Sequence, residues 1–572
     1  QGTATAEGLR QASELGAVAA LARQASGAAA YSAQLTVGAS GVPELAVTSS
    51  LQGLALDLPE PFAKPAESAV PLRIETALEA DAPAGTAAAA GAGLRERLQL
   101  SYGRAAAVTF VRALGGGAPR VLRGSIAVGL GADESAPLPA QGVVANLAFK
   151  TLDVDAWERL LPDQPPRTAD RANAGAASSP TPLQEFLPTS FALRAQQLRA
   201  GGRHFDQVVV GGMRDGPTWR ANVSASQLNG YVEYRQPGAS GGARLHARLA
   251  RLVVPREATA EVESLLDEPV ATSLPALDIV ADDFELRGKR LGRLEVEAVN
   301  RSGSGSDDDV LREWRLNRLV LTTPEAVFSA SGNWAAVGAQ AGTSRSARTA
   351  AAPRRTAMNF RLDIQDAGAL LDRLGMKDVV RRGKGQLAGT VVWKGSPLSP
   401  DYPSMSGQLH IDVERGQFLK ADPGLAKLLG VLSLQALPRR LTLDFRDVFS
   451  EGFAFDFVRG DATVAEGVAR TNNLQMKGVN AAVLIDGQAD LVRETQDLRV
   501  VVVPEINAGT ASLVAAAINP AIGLGTVLAQ LFLRQPLIKA TTQEFRIDGS
   551  WSDPQVRRVE TSAPAPAKEN TP

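Results

Sequence analysis

Side chains able to do chemistry are few in this sequence and far apart. Its imidazoles are His204, His246 and His410, at least 42 residues from one another and each in an ordinary alternating context. Each is expected on a strand face or the surface, away from any metal or reacting group. One string, Gly238-Ala-Ser-Gly-Gly, has the spacing of a nucleophile elbow, but it follows Pro237 and no helical pattern comes after it, so it reads as a hairpin turn. Gly115-Gly-Gly-Ala-Pro reads the same way, and Gly303-Ser-Gly-Ser-Asp-Asp-Asp has too few coordinating positions for a calcium loop. Asp282 and Asp283 are adjacent, so on a strand they point to opposite faces and cannot share a substrate. Walker A, H-E-x-x-H and strand-linked G-x-G-x-x-G sequences are absent. The expectation is a protein that is not an enzyme, with no cofactor and no metal site.

Composition narrows the remaining classes. The 572 residues carry 60 Lys plus Arg against 61 Asp plus Glu, a formal charge of −1, which offers no basic field for a nucleic acid. With no cysteine, the chain has neither disulfides nor thiolate metal sites, and its redox compartment stays open. Hydrophobic residues make 44%, aromatics 5%, and there are 54 glycines, so the apolar mass is mainly Ala, Val and Leu between frequent turns. Such a composition is poor in the large rings that anchor a compact core. No basic stretch and apolar run opens the sequence at Gln1, so a signal peptide or N-terminal membrane helix is expected to lie outside it.

The elements that would position any site are strands. Leu409, Ile411 and Val413 alternate with His410, Asp412 and Glu414; Leu441, Leu443 and Phe445 alternate with Thr442, Asp444 and Arg446. The same period of two recurs at Leu294 to Ala298, Phe360 to Ile364 and Phe545 to Asp548, each run ending near turn residues. This predicts antiparallel strands with one apolar and one wet face. Stretches 79–93, 165–182, 301–309 and 336–355 lack periodicity and read as solvated loops, including the cluster Arg345, Arg348, Arg354 and Arg355. Short helices are expected at 155–161, with Trp157 and Leu160 inward, at 366–374 with Asp366 as N-cap, and at 423–434 behind Pro423. Residues 506–533 run without a charge, but Asn519-Pro520 interrupts them. Two apolar helices of roughly 12 to 14 residues, each ~20 Å long, are too short to cross a ~30 Å hydrocarbon core. They are read either as a buried hairpin closing the sheet or as one that docks at a membrane, through Leu513, Val514, Ile518, Ile522, Leu524, Val527, Leu528, Leu531 and Phe532.

Several strings resemble one family. Pro438-Arg-Arg-Leu-Thr-Leu-Asp-Phe-Arg-Asp-Val-Phe-Ser-Glu-Gly-Phe-Ala-Phe-Asp, then Thr471-Asn-Asn-Leu-Gln-Met-Lys-Gly, closely resembles the C-terminal region of the YhdP family, within the AsmA-like superfamily of Gram-negative envelope proteins. Ser50-Leu-Gln-Gly-Leu-Ala-Leu-Asp-Leu-Pro-Glu-Pro-Phe-Ala-Lys-Pro, the Ala225-Ser-Gln-Leu-Asn-Gly-Tyr core of 219–234, and Phe284-Glu-Leu-Arg-Gly-Lys-Arg-Leu-Gly-Arg-Leu look like further signatures. The resemblance implies an elongated, mainly β fold: a curled antiparallel sheet forming an open hydrophobic groove, with a few short helices and a C-terminal helical hairpin. It implies shielding of phospholipid acyl chains between inner-membrane and outer-membrane lipid surfaces. It also implies a periplasmic location, with an inner-membrane anchor on an N-terminal helix missing from this chain.

Four divisions follow: a central-region segment at 1–160, a continuation at 161–400 with its inserted loops, an AsmA-like C-terminal region at 401–556, and a disordered tail at 557–572. The groove walls are expected to include Leu409, Ile411, Val413, Leu441, Leu443, Phe445, Val483 and Ile485. About 25 to 30 strands at ~4.8 Å would make a trough on the order of 120 to 145 Å long. The alternative is a non-catalytic scaffolding β-protein of the envelope with a dry interior, and an envelope enzyme is a remote third.

Overall fold

The computed structural model describes residues 1–11, 21–37, 43–79, 94–114, 120–131, 134, 136–160, 185–237, 242–255, 275–301, 313–336, 354–397, 400–419, 453–478, 481–504 and 542–559. The chain divides into two units, Gln1–Val253 and Val254–Pro572.

The first unit is built from β1 (Gly2–Thr5), β2 (Ala25–Val37), β3 (Pro43–Ser49), β4 (Leu54–Leu56), β5 (Leu72–Leu78), β6 (Arg95–Tyr102) and β7 (Ala106–Ala113). It continues through β8 (Arg120–Val128), β9 (Gly142–Asp153), β10 (Ser190–Ala200), β11 (Arg203–Asp215), β12 (Thr218–Ser224), β13 (Leu228–Arg235) and β14 (Arg244–Val254), whose end marks the unit boundary. Neighbours pair antiparallel from β1 to β3, from β3 through β5 to β8, and from β10 to β14. The pairs β8–β9 and β9–β10 are parallel. This departs from the uniform antiparallel expectation, and the connections explain it: residues 129–141 and 154–189 are long enough to return the chain to the starting edge, as a two-residue hairpin cannot. The first crossover passes the polar face, where the buried Ser125 hydroxyl donates to the carbonyl of Ala136 at 2.5 Å.

The second unit is an uninterrupted antiparallel meander. Its strands are β15 (Ala276–Leu286), β16 (Lys289–Arg301), β17 (Glu313–Thr322), β18 (Ala326–Ala336), β19 (Arg354–Ile364), β20 (Val380–Lys394) and β21 (Ser406–Phe418). They are followed by β22 (Phe453–Ala465), β23 (Val468–Gly478), β24 (Ala481–Asp490), β25 (Thr495–Pro504), β26 (Gln543–Ser550) and β27 (Pro554–Arg558). Arg354 and Arg355, read from sequence as loop, begin β19. Pairing with Ala336 and Ala335 of β18 holds them in the ladder, which overrides their local composition.

Helices are short: α1 (Ala6–Gln11), α2 (Val154–Leu160) and α3 (Ala367–Arg373). The expected N-cap of α3 is present, with the Asp366 carboxylate accepting from the Ala369 N–H at 3.0 Å. Among the described residues no helix is long and apolar enough to cross a membrane. The expected helices at 423–434 and 506–533 lie outside the described residues.

A strap at 50–71 lies against the sheet of the first unit. Backbone bonds from Ala28 to Gly53 at 3.1 Å and from Gly103 to Pro71 at 2.7 Å tie it down, while those from Gly53 to Ala66 and from Val70 to Ser50, at 2.7 and 2.8 Å, close the strap on itself. Lys64 is 2% exposed, its ammonium donating to the carbonyls of Leu54 and Pro65 at 2.8 and 3.0 Å, and burial lowers its pKa. Gly53 makes the turn at φ +93°, where an added Cβ would stand 2.4 Å from the Ala28 carbonyl oxygen.

Candidate functional site

Strand register sorts the side chains of the second unit into rows. One row runs Ala281, Leu294, Leu321, Phe328, Leu362, Leu387 and Ile411, one residue from each strand from β15 to β21. The row beside it runs Ile279, Val296, Leu319, Ala330, Phe360, Gly389 and Leu409. At Gly389 the gap is filled by its neighbours: a Cβ there would meet Leu409 at 2.9 Å and Phe360 at 3.2 Å. A third row crosses from Ile364 through Gly385, Val413, Val458, Met476 and Val483 to Val502. No charged side chain interrupts these rows. A period of two, kept in register over many strands, has produced one continuous apolar face.

Burial along that face is uneven. Phe360, Leu362, Leu387, Leu409 and Ile411 are half-buried, shielded by their row neighbours. Towards the C-terminal strands the face closes over: Val483 and Val502 are 0% exposed and Ile547 1%. At one end α3 packs on the face through Ala367 and Leu370, beside Ile364 and Val413. It is held there by Arg373, whose guanidinium grips Glu325 at 2.6 and 2.8 Å and also donates to the carbonyl of Arg290. The hydrogen bonds from Arg373 keep the Glu325 carboxyl below the usual glutamate range.

The opposite face is wet through most of its width. Arg293–Asp282, Arg318–Glu295, Arg361–Asp363 and His410–Asp461 pair there at 2.6 to 2.8 Å. Exposed pairs of this kind stabilise by at most about 1 kcal/mol each, so they keep the face in water more than they hold the fold. Burial works to raise the Asp461 carboxyl, but bonds from His410 and Asn473 outweigh it and hold the group low. One corner breaks the two-faced rule: Ala482, Leu484, Val501 and Val503, which point to this second face, are 0 to 1% exposed. The runs Ala481 to Ile485 and Val500 to Val503 are continuously apolar, the pattern of strands buried on both sides.

The first unit repeats the arrangement. Ile74, Leu100, Val108, Ile126, Ala145, Phe191, Gly212, Ala221, Val232 and Ala247 form one row across β5 to β14. At one edge the strap and α2 cover this face, with Phe62 edge-on to Trp157 at 5.7 Å and tilted against Tyr102 at 5.9 Å.

Of the residues expected in the groove wall, Leu409, Ile411, Val413, Val483 and Ile485 share the apolar face of the second unit. Leu441, Leu443 and Phe445 lie outside the described residues, as do Leu513, Val514, Ile518, Ile522, Leu524, Val527, Leu528, Leu531 and Phe532. His204, His246 and His410 all stand on strands, β11, β14 and β21. Among the described residues no group of three His, Asp or Glu side chains is placed to hold a metal. Sequence reasoning missed a line of tryptophans at the strand ends opposite α3: Trp314, Trp334 and Trp393, with Thr356 between the last two. Their signal was available, since each falls at one end of an alternating run.

A family model described as YhdP protein matches residues 1–556. The chain belongs to the YhdP family. It is similar to a curated member, the intermembrane phospholipid transporter YhdP of Escherichia coli (strain K12), at 32% identity over 206 residues. That stretch is 36% of this chain and 16% of the relative's length. No solved structure matches the chain.

Proposed function

We propose that the apolar face is the lining of an open hydrophobic groove that carries phospholipids across the periplasm, shielding their acyl chains from water between inner and outer membranes. The observation that carries this is the half-buried middle of the face: rows of Leu, Ile and Phe in register over seven strands, with α3 as the described helix packed on β20. A sheet with one apolar face needs a second layer. At ~0.8 kcal/mol per buried CH₂, a sixteen-carbon chain laid on it gains about 12 kcal/mol, ample to keep a lipid out of water. Few polar groups stand in the rows, so nothing fixes the lipid at one place and it slides. The name of the Escherichia coli relative supports the same reading. Anchoring to the inner membrane by an N-terminal helix, and membrane contact through 506–533, extend this proposal.

A scaffold with a dry interior is the second reading, and the fully buried corner at Val483, Val502 and Ile547 favours it. Native mass spectrometry of the purified chain separates the two. Bound phospholipid supports the groove; protein that stays lipid-free after incubation with phospholipid vesicles overturns it.

A further inference from the structure

In the first unit the apolar face is narrowed by the chain itself. Three rows cross β5 to β9 side by side, two residues apart along each strand. The middle row is Ile74, Leu100, Val108, Ile126 and Ala145, half-buried except at Ala145. On one flank Phe110 and Val143 are buried, with Phe186 edge-on to Phe110 at 5.0 Å, and beyond them Glu96 and Arg112 form an ion pair on facing strand positions. On the other flank Leu72, Tyr102, Ala106, Val128 and Leu147 lie under the strap, against Leu51, Leu54, Leu56, Phe62 and Val70. Rows two residues apart are ~6.8 Å apart, so one open row seats a single hydrocarbon chain in contact with its flanks, whereas a phospholipid brings a pair of chains. In the second unit, by contrast, the adjoining rows through Leu362, Leu387 and Ile411 and through Phe360 and Leu409 are both half-buried.

The strap is built to move as one piece. Its ends meet, the Val70 N–H donating to the Ser50 carbonyl at 2.8 Å, which is the closed form of an Ω-loop. Inside it Leu56 and Lys64 exchange backbone bonds at 2.8 and 2.9 Å, and the Lys64 ammonium is satisfied by the strap's own Leu54 and Pro65 carbonyls. These bonds travel with the strap, so lifting it leaves none of those groups unpaired. Leu51, at the neck, holds φ +52°, a costly conformation for a residue with a side chain and one that gathers at segments that switch.

What a lift must break is short. It comprises the pairing of β4 with Ala25, Ser26 and Gly27 of β2, the flanking bonds from Ala28 to Gly53 and from Asp57 to Gln24 at 3.1 and 2.8 Å, and the bond from the Tyr102 hydroxyl to the Phe62 carbonyl at 3.2 Å. The remaining hold on the rows is apolar contact, which hydrocarbon replaces in kind.

We propose that the strap is a gate: it lifts from the face of the first unit to admit the second acyl chain of a phospholipid onto the row through Tyr102, Ala106 and Val128, and settles back once the lipid has passed. This rests on the groove reading and adds a point of control to it. With the strap down the first unit offers one row; with it raised, two adjoining rows are open, as in the middle of the second unit.

The chain has no cysteine, so a pair introduced at Ser26 and Ala55, which face each other across β2 and β4, can be closed and reopened selectively. Opposed residues of an antiparallel pair stand ~4.5 to 5.5 Å apart, within disulfide reach. The full chain carrying Ser26→Cys and Ala55→Cys is photolabelled in vesicles that contain a phosphatidylcholine with a diazirine at the acyl terminus, and the labelled residues are mapped. The reduced form is expected to be labelled at Tyr102, Ala106 and Val128 as well as on β19 to β21. Oxidation should cut labelling at those three residues severalfold, leave that on β19 to β21 unchanged, and be reversed by reduction. Equal labelling of the three residues in both forms overturns the gate. Their absence from both forms, with β19 to β21 labelled, makes the strap a fixed wall, which overturns the gate and leaves the groove standing. Absence of label from β19 to β21 as well overturns the groove itself.

Hydrogen exchange on the unaltered chain reads the movement directly. Adding the same vesicles should speed exchange severalfold at the N–H groups of Ala28 and Asp57, which bond across to Gly53 and Gln24, and leave Leu114 and Gly129, bonded to Leu94 and Ala105, unchanged. Unchanged or slower exchange at Ala28 and Asp57 overturns the lift.

Discussion

Arg373, the last residue of α3, closes a two-bond ion pair with Glu325, in the turn between β17 and β18, at 2.6 and 2.8 Å. Both side chains are largely shielded, 26% and 16% exposed, so the bond is worth more than a surface pair. Glu325→Gln should cost about 1 to 2 kcal/mol and lower the melting temperature. Because the folded carboxyl titrates below its ordinary value, its stabilisation is complete above the unfolded value near 4.5 and is lost as pH falls through the folded one. Thermal melts should therefore show a gap between wild type and Glu325→Gln at pH 7 that narrows as the pH falls below about 4.5. A gap that stays constant with pH would show that the carboxylate charge is not what holds α3.

Neighbouring residues on one strand should have opposite effects on lipid. Ile411 lies on the apolar face, whereas His410 faces the polar one and bonds Asp461 at 2.8 Å. Ile411→Asp places a charge in the middle of the rows and should lower co-purifying phospholipid at least tenfold with the β circular-dichroism spectrum retained. His410→Ala should leave lipid content unchanged. Equal lipid loss in both variants would count against a one-sided face.

At the closed corner, truncation should be felt on both sides of the sheet. Val483 and Val501 point to opposite faces, and at 0 and 1% exposure each is fully packed. Val483→Ala and Val501→Ala should each lower unfolding free energy by about 1 to 3 kcal/mol in denaturant titration. A near-neutral Val501→Ala would mean that the second face is open there.

The strap of the first unit should loosen when its ring contact is removed. Trp157→Ala deletes the edge-on partner of Phe62, and hydrogen exchange at Gly53 and Leu56, whose N–H groups bond Ala66 and Lys64, should speed up by about tenfold. Unchanged exchange would show that Lys64 and the backbone bonds hold the strap without α2.

Much of the architecture was legible because strand periodicity is local. Leu409, Ile411 and Val413 alternate with polar residues, and the sheet puts them where alternation says. The cap of α3 was readable for the same reason, since Asp366 and Ala369 are three residues apart. What was not legible depended on distant partners. The parallel pairing of β9 follows from where β8 and β10 lie, which no window around Gly142 reveals. Arg354 reads as loop among alanines and becomes strand only by pairing with Ala336. The indole line at Trp314, Trp334 and Trp393 is scattered over some 80 positions of sequence and comes together through register alone. The buried corner was visible in the valine run 500–503, had continuous apolarity been weighed beside alternation.

The meander of the second unit has a consequence for its growth. Each described strand there is hydrogen-bonded to its sequence neighbours in antiparallel fashion, so removing or adding two consecutive strands preserves the direction in which every later strand runs, whereas changing the number by one reverses them all. Duplication or loss of hairpins is thus a quantised ruler, one that lets a lineage adjust the span of such a sheet without redesigning its ends.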